Sequence, residues 1–173
     1  VKSKTENDNN GKGAIALTFN HYLTQLVVNA KCSNPTYKVV VEGVKLANLA
    51  GEGTYTFSTA SMEAMAEKIN SATSSDYTAS FDAKTLGSSA CEVMTNAGNG
   101  RWYLVPQAVA AWNQASEAKN ATNGTYLALK VKITANSDAL NIYPTDGGSA
   151  WMAVPVPAQL KFEQGKKYNV TFD

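Results

Sequence analysis

The chain carries one histidine, His21, and two cysteines, Cys32 and Cys91. One histidine excludes a multi-histidine metal centre, and the two cysteines are far apart in sequence, at no metal-ligand spacing. A serine-hydrolase triad would have to use His21 as its base, and no Gly-x-Ser-x-Gly turn is present to offer it a serine. His21 stands between an extended run and a second apolar segment, which reads as a structural, hydrogen-bonded histidine. The acidic residues, such as Glu42, Glu63, Asp76, Glu92 and Asp146, are scattered, so nothing prefigures the opposed carboxylates of a glycosidase. Asp146-Gly147-Gly148 lacks the alternating oxygen ligands of a calcium loop. Gly51-Glu52-Gly53 and Gly98-Asn99-Gly100 lack the Lys-Ser/Thr ending and following helix of a phosphate loop, and read as hairpin turns. The expectation is no catalytic residue, no metal and no cofactor.

Aromatic rings are the other candidates for recognition. Trp102, Trp112 and Trp151 could each stack on a sugar ring. Trp102 and Trp151 fall inside strand patterns and are expected in the core. Trp112 lies among Ala, Asn and Gln and is the ligand-binding candidate. The cysteines read as two small buried apolar side chains, with a Cys32–Cys91 disulfide as the alternative.

Composition narrows the class. With 15 basic and 14 acidic side chains the net charge is +1, which is no footprint for nucleic acid or an anionic membrane. Charged residues make up only 17%, and Thr, Ser, Asn and Gly are plentiful, as in exported β-rich proteins. No apolar run approaches the 18 or so residues of a membrane span. At 173 residues the chain suits a single core. It starts at Val1 without a methionine, which suggests a piece of a longer precursor with any targeting segment upstream.

The elements that would position such residues are strands. Val1–Lys12 is polar and aperiodic, a flexible linker or arm, and residues 13–173 read as one domain. Ile15, Leu17 and Phe19 alternate with small or polar residues, and Leu23–Ala30 also looks extended. Tyr37–Leu46 is rich in β-branched residues, with Gly43 as a possible bulge. Asn48–Gly53 reads as a turn, and Thr54–Phe57 as the hairpin partner beyond it. Thr125–Thr134 is the clearest strand, with Leu127, Leu129, Val131 and Ile133 facing the core. Tyr77–Phe81, Ala90–Met94, Trp102–Val105, Leu140–Tyr143, Trp151–Val156 and Lys167–Phe172 complete the set. Pro155 and Pro157 place their strand at an edge. Met62, Met65, Ala66 and Ile69 fall at helical spacing, which predicts a short helix over Ser61–Ile69, and Ala108–Ala118 could carry another turn. Many short strands with turns between them favour an antiparallel sandwich with one or two short helices.

Three ordered stretches carry a resemblance: Leu17-Thr18-Phe19-Asn20-His21-Tyr22-Leu23 through Val28, Trp102-Tyr103-Leu104-Val105-Pro106-Gln107, and Val154-Pro155-Val156 with Phe162-Glu163-Gln164-Gly165-Lys166-Lys167-Tyr168 through Phe172. Together they resemble the C-terminal domain of the fimbrillin family of Bacteroidales pilus and cell-surface adhesion proteins. Gln164 stands where that family often has proline, and Ser61–Ile69 with its Ser/Thr-rich sequel looks like a local insertion. The resemblance implies a Greek-key, transthyretin-like β-sandwich, the C-terminal part of a lipoprotein exported to the outer-membrane surface. It implies a non-catalytic pilus subunit whose partners are other subunits, engaged by strand exchange, and possible host or bacterial surface proteins or glycans. With no donor segment after Asp173, an anchor, tip or accessory role is expected over a stalk role. A carbohydrate-binding surface module is the alternative.

Overall fold

The computed structural model describes residues 21–56, 66–69, 74–94, 101–113, 124–136, 140–157 and 160–173. In chain order the strands are β1 (Thr24–Ala30), β2 (Tyr37–Ala50), β3 (Gly53–Thr56), β4 (Ala66–Ile69), β5 (Ser74–Thr85), β6 (Cys91–Glu92) and β7 (Trp102–Leu104). They continue with β8 (Gln107–Ala108), β9 (Tyr126–Ala135), β10 (Asn141–Tyr143), β11 (Ala150–Pro155), β12 (Lys161–Phe162) and β13 (Lys167–Phe172).

The two strongest sequence patterns become the centre of one sheet. β2 and β9 pair antiparallel from Tyr37↔Ala135 to Ala47↔Tyr126, β5 flanks β2, and β10 and β11 follow one another along the far side of β9. Pro155 ends the edge strand β11 opposite Tyr126, where a missing N–H costs no ladder bond. The second sheet is built on β1, with β13 on one side and β6 and β7 on the other. β1 and β13 run parallel and in register from Gln25↔Lys167 to Ala30↔Phe172, the one departure from an otherwise antiparallel plan among the described residues. Two short pairs, β3–β4 and β8–β12, lie off these sheets.

The sheets bury one continuous core. Leu26, Val28 and Ala30 of β1 and Leu104 of β7 join Val41, Val44, Leu46 and Leu49 of β2 and Leu127, Leu129 and Val131 of β9. Period-two alternation explains this, because one face of each strand is apolar. The β-sandwich and the expected core face of β9 are thus present.

Four expectations are revised. The predicted helix over Ser61–Ile69 ends, where the structure describes it, as strand β4 paired with β3 from Gly53↔Ile69 to Thr56↔Ala66. Helical spacing over so few residues is weaker than a ladder offered by a neighbouring segment. The rest of that helix, the Ile15–Phe19 strand and residues 114–118 lie outside the described residues, and Val109–Asn113 is not helical. β3 is therefore the partner of β4 and not of β2. Asn48 does not start a turn: β2 continues to Ala50, with Asn48 at φ 60 inside a register shift against β5 between Leu46 and Leu49. Asparagine tolerates this left-handed backbone better than most residues. The bulge expected at Gly43 is present, as a register shift against both neighbours between Val41 and Gly43.

Candidate functional site

The groups that could do chemistry are dispersed. His21 is exposed. Among the described residues no three His, Cys, Asp or Glu side chains gather to hold a metal. Both cysteines are free thiols packed against the core. The Cys32 thiol faces the carbonyls of Asn34 at 3.4 Å and Tyr37 at 3.7 Å, and Cys91 faces that of Ala30 at 3.6 Å.

The tryptophans have other work. Trp112 is half-buried, its ring stacked on Tyr126 with centroids 4.6 Å apart and planes at 31°. One of its two faces is therefore already covered. Trp102 packs against the core and meets Tyr77 at 6.1 Å. Trp151, expected in the core, lies on the outer face. Its ring covers Gly43, where a Cβ would sit 3.3 Å from the ring edge, and Lys45 Nζ lies 4.9 Å from its centroid. The bulge and the absent side chain leave the notch that the indole fills, and the cation on its face adds a modest attraction.

What the fold does bring together is the three sequence motifs, at one end of the sandwich. In the first, Thr24 Oγ1 donates to the Glu163 carbonyl at 2.6 Å and the Gln25 amide to that of Lys166 at 2.9 Å. In the second, the Gln107 side chain acts as a piece of strand. Its Nε2 donates to the Ala50 carbonyl at 2.9 Å and its Oε1 accepts from the Ala50 amide at 2.9 Å. It thereby satisfies both backbone groups of a residue that is 1% exposed and has reached the end of β2. In the third, the Tyr168 hydroxyl donates to the Lys161 carbonyl at 2.6 Å and accepts from the Glu163 amide at 3.2 Å, clamping the turn between β12 and β13. Gln107↔Phe162 pairing joins the second motif to the third.

The turn explains one departure noted in the sequence. Lys166 N bonds the Glu163 carbonyl at 3.2 Å, and Gly165 has φ 67. That is a type II turn, which needs glycine third and merely favours proline second, so Gln164 is tolerated there.

Gln107→Leu keeps the bulk of the side chain but strands a buried N–H and C=O of Ala50. It should destabilise the protein by about 2 kcal/mol, because unsatisfied buried polar groups carry their full desolvation cost. Chemical denaturation checks this, and a change below about 0.5 kcal/mol would mean that the amide pair contributes little.

The opposite end of the sandwich holds an apolar groove. Tyr37, Ile133, Ile142, Met152, Val154 and Phe172 line it, with a volume of about 490 Å³. At its mouth Lys31 Nζ lies 2.8 Å from the Asp173 carboxylate, which also accepts from the Ser33 amide and hydroxyl. The hydrogen bonds from Lys31 and Ser33 hold this carboxyl below the usual range. The contact is thus present above about pH 4 and lost as the pH falls through the lowered value.

A family model described as fimbrillin-like matches residues 2–173. No curated protein and no solved structure gives a match.

Proposed function

Because the chain belongs to the fimbrillin-like family, we propose that it is a non-catalytic subunit of a surface pilus or related adhesin, acting as an anchor, tip or accessory component. The family match across residues 2–173 carries this reading. On it the chain is extracytoplasmic, displayed at the outer surface of a Bacteroidales cell through a lipid on an upstream part of its precursor. Its partners are other pilus subunits, joined by strand exchange, in which main-chain bonds supply affinity and alternate side chains fill pockets.

The parallel pairing of β1 and β13 suits a load-bearing role. Tension entering the chain at Thr24 and leaving at Phe172 would shear this pair, so its backbone bonds would resist together rather than open one at a time. Immunogold labelling of intact producing cells with antibody to this domain tests the proposal. Label at the base or end of surface fibres is expected, whereas label only after permeabilisation would reject it and label along the shaft would reassign the subunit to the stalk.

A further inference from the structure

The outer face of the smaller sheet carries a row of side chains that adds nothing to the core. Leu26, Trp102, Leu104 and Tyr168 turn inward. Alternation therefore turns Gln25, Tyr103 and Lys167 the other way. The pairings Gln25↔Tyr103 and Gln25↔Lys167 set these three side by side across β7, β1 and β13, over about 10 Å. Tyr103 is 56% exposed, yet its ring is held, because Gln25 Nε2 donates to its hydroxyl at 3.0 Å. An exposed ring that is already fixed loses little freedom when a ligand settles on it. Trp112 is less open, since Tyr126 covers one of its faces.

The row lines a cavity of about 720 Å³, to which Leu23, 42% exposed, adds apolar surface and Lys166 a second ammonium group. Among the described residues no carboxylate lines it. Lys31, Arg101 and Lys130 each lie against an acid, whereas the side chains of Lys166 and Lys167 have no ion-pair partner among the described residues. Two uncompensated cations in one cavity, in a chain of net charge +1, favour an anionic ligand there.

The side chains also name its class. An open aromatic face stacks on the C–H face of a sugar ring. The Gln25 carboxamide keeps its oxygen and a second N–H for sugar hydroxyls. The ammonium groups suit a carboxylate or a sulfate. A peptide added as a strand does not fit, because β1 is paired on both sides at Gln25. We propose that this row binds an acidic saccharide, with a sugar ring on Tyr103, hydroxyls on Gln25 and the acid on Lys166 and Lys167. The site goes beyond the pilus reading and stands whether or not the subunit enters a fibre.

A saccharide array with neutral, uronate, sialylated and sulfated members tests it on the whole chain. Binding confined to acidic members is expected, and whether carboxylated or sulfated sugars bind identifies the acid. No binding to acidic members, or equal binding to neutral ones, overturns the proposal. For the strongest binder, Tyr103→Ala should weaken affinity about tenfold or more in titration calorimetry, and Lys166→Gln with Lys167→Gln should do the same. Both lysines are exposed, so their replacement leaves the fold intact. Tyr103→Phe keeps the ring and should keep most of the affinity, which separates stacking from any loss of fold. Unchanged affinity in Tyr103→Ala or in the lysine variant would overturn the site. Equally tight binding of an oligoglutamate peptide would reduce it to a general anion patch and overturn it too.

Discussion

Replacing Gly124 by alanine should destabilise the protein by about 4 kcal/mol, at the upper end of what single substitutions do. Gly124 has φ 83, a conformation that costs an alanine on its own account. Space is the larger problem, because a Cβ there would fall on the backbone carbonyl of Ala111 and the Cα of Trp112. Neither is a flexible tip that could swing away. The backbone is also tied locally: Thr125 N bonds the Ala110 carbonyl at 3.1 Å, and the Gly124 carbonyl accepts Asn48 Nδ2 at 3.1 Å. Thr125 Oγ1 in turn donates to the Asn48 carbonyl at 3.2 Å. Displacing Gly124 would therefore disturb the anchor of the left-handed residue in β2 and the segment carrying Trp112. Gly87 is the control, since a Cβ there meets nothing within 4 Å. Gly87→Ala should stay within about 0.5 kcal/mol. Urea denaturation of both variants decides the matter, and equal midpoints would show that 110–112 does not pack on 124–125 as described.

Much of this architecture was legible in the residues. β9 and β13 announce themselves by alternation and β2 by its β-branched residues, and Gly43 marks its bulge, because period, residue shape and special backbone geometry are local properties. Partners are not local. Nothing in Leu26-Val27-Val28 or Tyr168-Asn169-Val170 states that these runs pair with each other, still less that they pair parallel. Pairing depends on which edges remain open after collapse. Trp151 shows a related limit. Its strand is real, but alternation alone does not say which face is inward, and here Met152 and Val154 take the inner face while Trp151 fills the notch over Gly43. Met62, Met65, Ala66 and Ile69 mislead for another reason: four positions fit a helix period, yet the described end of the segment takes its bonds from β3. The motifs were visible, but their roles were not. A glutamine after Val-Pro and a tyrosine after Gly-Lys-Lys become meaningful only when Gln107 meets Ala50 and Tyr168 meets Lys161 across the end of the sandwich.

That end of the sandwich rests on one side chain. Phe162 is 1% exposed, leads the fully buried side chains by size, and meets Tyr168 edge-on with centroids 5.4 Å apart and planes at 89°. Phe162→Ala should cost about 4 kcal/mol, most of it lost burial and an unfilled cavity, and lower the melting temperature by roughly 10 °C for a chain of this length. The edge-on contact is the smaller share, about 1 kcal/mol. A double-mutant cycle separates the two. Tyr168→Leu removes both the ring contact and the hydroxyl clamp, so its coupling to Phe162→Ala should be about 1 kcal/mol, whereas Tyr168→Phe keeps the ring and should couple little. The backbone gives a second readout. The Phe162 strand pairs with Gln107, whose amide holds Ala50. Emptying the Phe162 site should therefore speed hydrogen exchange at Ala50, although that residue lies on a different sheet. Unchanged exchange at Ala50 would mean that the three motifs meet in space without depending on one another.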